Sequence, residues 1–83
     1  MSAGITHRLV GYDPDTGWVA VEYPIPQRQL DFARRVAGVG EDDPQAVLCY
    51  QLDPHAARGI AGAIGVQTDP DTLTFFFEGF ATT

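Results

Sequence analysis

Lysine is absent from this 83-residue chain, and cysteine occurs once, at Cys49. With a single cysteine no internal disulfide can form, which fits a reducing compartment. No stretch approaches the run of ~18 apolar residues that a membrane-spanning helix requires. Met1-Ser2-Ala3-Gly4 carries neither a basic region nor an apolar run of signal-peptide length. These absences lead to the expectation of a soluble cytoplasmic protein with no membrane partner. All the fixed positive side-chain charge rests on five arginines, the two histidines counting as neutral. Against 11 acidic residues the net charge is −6. A field of that sign repels phosphate backbones and argues against nucleic-acid binding. What the chain does have is apolar material: 45% hydrophobic residues, including one Trp, three Tyr and five Phe. That is enough for a packed core, and the length corresponds to one domain, 1–83.

Four of the six prolines directly follow an aspartate: Asp13-Pro14, Asp43-Pro44, Asp53-Pro54 and Asp69-Pro70. Asp bonds its own backbone two residues on, and Pro presets the next φ for a turn or a first helical turn. The pairs therefore divide the chain into short elements. Ile5 to Tyr12 reads as a strand. Asp13-Pro14-Asp15-Thr16-Gly17 is a turn, and Trp18 to Tyr23 is the returning strand of a hairpin. Pro24 and Pro26 end it. Gln27 to Ala37 has helical amphipathicity, with Leu30, Ala33 and Ala37 on one side and Arg28, Asp31, Arg34 and Arg35 on the other, and Gly38 and Gly40 stop it.

After the acidic loop Glu41-Asp42-Asp43, the run Ala46 to Leu52 predicts an interior strand covered on both faces or nearly so. Asp53 is placed as N-cap and Pro54 as first residue of a second helix. Ala57, Ile60, Ala61 and Ile64 recur at helical spacing, and Gly65 closes the helix. Gly59 and Gly62 inside it predict close approach to the sheet. Leu73 to Phe80 is the last strand. The order β-β-α-β-α-β predicts an α+β, two-layer domain. One four-stranded mixed sheet has both helices on one face, with right-handed crossovers. The tetrapeptide Asp-Pro-Asp-Thr at 13–16 and 69–72 is one turn chemistry used twice, not a duplicated unit.

No catalytic, metal or nucleotide motif is present, so no cofactor is expected and no residue is assigned a catalytic role. The acidic loops lack the ligand number and spacing of a calcium loop. Cys49 sits among apolar neighbours as a small buried hydrophobe, and neither His7 nor His55 stands at ligand spacing from a partner. Arg28, Arg34 and Arg35 form either a solvated face or a contact for an acidic partner or a phosphate ligand. With both helices on one face, strand alternation leaves apolar residues on the other. Trp18, Phe75, Phe76 and Phe77 are the candidate anchors of an interface there, unless they complete a two-layer core.

The segments Gly11-Tyr12-Asp13-Pro14-Asp15-Thr16, Glu41-Asp42-Asp43-Pro44, Tyr50, Leu52-Asp53-Pro54 and Phe76-Phe77-Glu78 resemble a small bacterial domain family of unknown function. That family shares a Tyr-Asp-Pro hairpin turn, an acidic loop and an aromatic last strand. The resemblance covers most of the chain and carries no activity across; its general character is similar to small accessory or immunity-type proteins. The expected function is a non-enzymatic interaction module, binding itself or a protein partner through the sheet face or an edge strand. An acidic inhibitor of a toxin or enzyme is a second reading, with Asp13, Asp15, Glu41, Asp42 and Asp43 engaging a basic site. A small-ligand-binding or enzymatic domain is a third.

Overall fold

The structure is a computed structural model, which describes residues 4–43, 46 and 49–82. Four strands and two helices follow in the order β1 (Gly4–Tyr12), β2 (Val19–Pro24), α1 (Leu30–Ala37), β3 (Tyr50–Leu52), α2 (Pro54–Ile64) and β4 (Thr74–Thr82). A 3₁₀ turn, Gln27–Gln29, leads into α1. The fold is α+β, as the alternation of elements predicts.

The strands lie in the order β2-β1-β4-β3, and every neighbouring pair is antiparallel. The sheet is therefore not mixed, and no parallel crossover exists for the right-handed rule to govern. β2 and β3 are not neighbours. The segment after α2 brings the chain back to the end of the sheet where β3 finishes, since Leu52 pairs with Phe75 at the start of β4.

β3 is an edge strand of three residues, not an interior one. The chain before it is not extended throughout: Ala46 is fully buried but has a φ of 52°, a left-handed conformation that breaks a strand. Cys49 precedes β3 and is exposed. Val47 and Leu48, also assigned to this strand from sequence, lie outside the described residues. The interior strands are β1 and β4, each of nine residues.

Register sorts the side chains. Leu9 lies opposite Tyr23 and Phe77, Gly11 opposite Val21 and Phe75, and Tyr50 opposite Phe77. This face packs against the helices. Its core joins Leu9, Leu52, Phe75 and Phe77 to Ala33, Ala57, Ile60 and Ala61. The other face carries Thr6, Arg8, Val10 and Tyr12 of β1, Glu22 of β2, and Phe76, Glu78 and Phe80 of β4. Both helices thus cover one face.

The helix ends follow the sequence signals. Asp53 accepts a 2.7 Å hydrogen bond from the Ala56 N–H, Pro54 opens α2, and Gly65 ends it at φ 78°. The two glycines inside α2 do not approach the sheet, contrary to expectation. A Cβ on Gly62 would meet nothing within 4 Å, and one on Gly59 would touch only Phe32 of α1, at 3.8 Å. The close approach lies instead at Gly11 in β1, where a Cβ would stand 2.7 Å from Val21 Cγ2 and 2.8 Å from Phe75 Cε1.

Candidate functional site: the helix-free face of the sheet

Val10 is buried at the centre of this face with no helix above it. Its cover comes from neighbouring side chains. Tyr12 reaches along β4, its ring edge-on to Phe76 at 5.4 Å, and its hydroxyl donates to Glu78 Oε2 at 2.5 Å. On the other flank Arg8 spreads its guanidinium over the Phe80 ring at 4.5 Å and pairs with Glu22. Long amphipathic side chains laid flat over apolar ones cover such surface only in part. Phe76 and Phe80 remain half-buried. The hydrogen bond to Glu78, reinforced by burial, pushes the Tyr12 pKa up to about 12, because ionising the phenol would set two negative charges side by side.

Beside Tyr12 the face sinks into a shallow hollow of about 400 Å³, bounded by Tyr12, Asp13, Cys49, Thr74, Phe76 and Glu78. The hairpin turn forms its rim. There Asp13 Oδ1 accepts from the Asp15 N–H at 2.8 Å, and the Asp13 carbonyl accepts from the Gly17 N–H at 2.8 Å, with Gly17 at φ 76°. Partial desolvation by its neighbours and the nearby Glu78 carboxylate raise the pKa of the exposed Cys49, so the thiol stays protonated, the opposite of an activated nucleophile.

The sequence-predicted residues are only partly brought together. Of the four aromatic anchors, Phe75 and Phe77 point to the helix side and are 1% and 0% exposed, so they belong to the core. Phe76 alone of the three lies on the helix-free face. Trp18 is 76% exposed beside the hairpin turn. Cys49 and the histidines are apart: His7 is buried on the helix side, stacked on Phe77 at 5.3 Å, and His55 is exposed in the first turn of α2. No cluster of three or more potential metal ligands occurs among the described residues.

The acids divide in two. Tyr12 pairs with Thr74, which sets the Asp13–Thr16 and Asp69–Thr72 turns at the same end of the sheet. Glu41 and Asp42 are exposed on the loop after α1. Asp43 is buried and accepts a 2.6 Å hydrogen bond from the Tyr50 hydroxyl, so it is a structural tie rather than a surface charge. That bond pushes the Tyr50 pKa up to about 12. Arg34 and Arg35 share a hollow with Asp31, while Arg28 stands in the 3₁₀ turn before α1. From sequence, Glu78 and Tyr12 belong only to the family-like motifs and are not candidate site residues. Their contact spans 66 positions, and only the strand register reveals it.

A family model described as "Domain of unknown function (DUF7683)" matches residues 6–78. The chain belongs to that family. No curated protein and no solved structure matches it. The DUF7683 match runs from β1 to Glu78 of β4, and so takes in both helices and the whole hollow of the helix-free face. Among the described residues no helix is long and apolar enough to cross a membrane.

Proposed function

We propose that this DUF7683 domain is a non-enzymatic interaction module of the bacterial cytoplasm that seats a protein partner, or a second copy of itself, on the helix-free face of its sheet. The observation that carries the reading is that face itself. Phe76, Phe80 and Tyr12 are reachable there, no helix covers them, and exposed Trp18 stands beside the adjoining turn. Apolar surface gathered in this way marks interaction sites more often than isolated exposed residues do.

The strand edges support the face over strand addition. Ile25 N–H donates to the His7 carbonyl, so its neighbour Pro24 turns outward a nitrogen that has no hydrogen to offer. The opposite edge strand, β3, has only three residues.

Light scattering after size exclusion, run at several concentrations on the native chain and on Phe76→Ser, tests the reading. Association that weakens in the variant while its circular dichroism is unchanged supports the face. Association unaffected by Phe76→Ser and by Phe80→Ser removes it.

A second reading, an acidic immunity-type inhibitor, draws on the two aspartate turns at one end of the sheet. It predicts an association rate with a basic partner that falls steeply as salt is raised. A rate indifferent to salt excludes it.

A further inference from the structure

The helix-free face holds a buried carboxylate that lacks a cation. Glu78 is 7% exposed, and carboxylates buried that far are paired as a rule. Its direct cross-strand neighbour is Arg8. Arg8 turns away, however, to Glu22 and the Phe80 ring. Glu78 receives only the Tyr12 hydroxyl, on Oε2, and no cation among the described residues pairs with it. No buried side-chain oxygen among the described residues is without a hydrogen-bond partner. Oε1 accepts no hydrogen bond from the described residues, and Glu78 lines the hollow beside Tyr12. The same hollow is bordered by a second carboxylate, Asp13, and walled by the Tyr12 and Phe76 rings. Its lining includes no arginine or histidine.

We propose that this hollow is a binding site for an organic monocation, an alkylammonium or alkylguanidinium group whose charge meets Glu78 and whose stem lies on Tyr12 and Phe76. Aromatic walls beside a carboxylate attract such a group through both cation–π and ion-pair contacts. A bare divalent ion fits poorly, since it needs about six oxygen ligands. The Tyr12 hydroxyl donates to Oε2, and with its pKa pushed up to about 12 the phenol is the partner that holds the proton of that contact. The guest's group can come from an arginine or lysine side chain of a protein or from a free amine. This inference deepens the interaction reading above and rests on it only for the accessibility of the face.

The test is a titration of the ¹⁵N-labelled chain with n-butylguanidinium, n-butylammonium and, as neutral control, n-butanol. The expected result is saturable shifts of the Tyr12, Cys49, Phe76 and Glu78 amides with either cation and none with butanol. Glu78→Gln, which keeps the shape and a hydrogen-bond acceptor for Tyr12, should weaken binding at least tenfold. Glu41→Gln, an exposed acid on another loop, should leave it unchanged. Absence of saturable shifts, equal shifts with butanol, or full binding by Glu78→Gln overturns the proposal. Should Glu78→Gln not fold, Asp13→Asn takes its place, with a several-fold loss expected and no loss overturning. A capped arginine peptide that binds tenfold more tightly than butylguanidinium identifies a protein side chain as the source, and equal binding a free cation. Silent probes alongside self-association that Phe76→Ser disrupts would sink this site and leave the interaction reading standing. Binding probes on a chain that finds no protein partner would do the reverse.

Discussion

A single methyl group added at Gly11 would press on Val21 Cγ2 at 2.7 Å and on the Phe75 ring at 2.8 Å, and Phe75 is too deeply buried to move aside. Gly11→Ala is therefore expected to destabilise by about 1–3 kcal/mol, the usual cost of overpacking. The urea midpoint should fall with an unchanged slope. The tyrosines make a second residue-scale prediction. Tyr12 and Tyr50 both have folded pKa values pushed up to about 12, against about 10 for the unfolded chain. A raised pKa means the folded state holds the proton more tightly. The corresponding stability is whole below pH ~10 and is lost as pH climbs from ~10 to ~12, where the unfolded chain ionises first. Denaturation midpoints measured from pH 8 to 12 should stay level and then drop, with a shallower drop in Tyr12→Phe/Tyr50→Phe. An equally steep drop in that variant would show that these phenols are not its source.

At the scale of elements, local signals with a self-contained mechanism were legible from sequence. The Asp53 cap, Pro54 and Gly65 delimit α2 because capping is settled within four residues. The hairpin turn at 13–17 was legible for the same reason. The reading of Ala46 to Leu52 as an interior strand went wrong because composition reports burial, not its cause. Ala46 is buried in the core in a left-handed conformation, and Tyr50 and Leu52 are turned to the helices from an edge. Gly59 and Gly62 suggest tight packing by residue type alone, and the structure gives them room. This yields paired predictions on one helix. Gly62→Ala should stabilise α2 by up to ~1 kcal/mol through propensity alone, with nothing in its way. Asp53→Ala should cost about 0.5–2 kcal/mol by leaving the Ala56 N–H without its acceptor. Thermal or urea denaturation of the two variants separates them by sign.

The placement of side chains on the two faces is a property of the whole molecule, and here the sequence stops short. The Phe75-Phe76-Phe77 run is apolar throughout, yet alternation must send its middle member to the face opposite its neighbours. Which face is the core depends on how β1, β3 and β4 align, and alignment is long-range information absent from the run itself. The antiparallel sheet was hidden for the same reason, because two helical connections suit either direction of return. The consequence can be measured. Phe77 is 0% exposed and Trp18 76% exposed, although both were candidate anchors from sequence. Phe77→Ala should cost about 3–5 kcal/mol, as removal of a buried ring does. Trp18→Ala should change stability by no more than ~0.5 kcal/mol, as an exposed substitution does. If Trp18 serves the interaction proposed for this face, its removal should lower partner or self-affinity while the melting curve stays in place. A Trp18→Ala chain that loses stability as Phe77→Ala does would mean that the indole packs against the domain and is no part of the open surface.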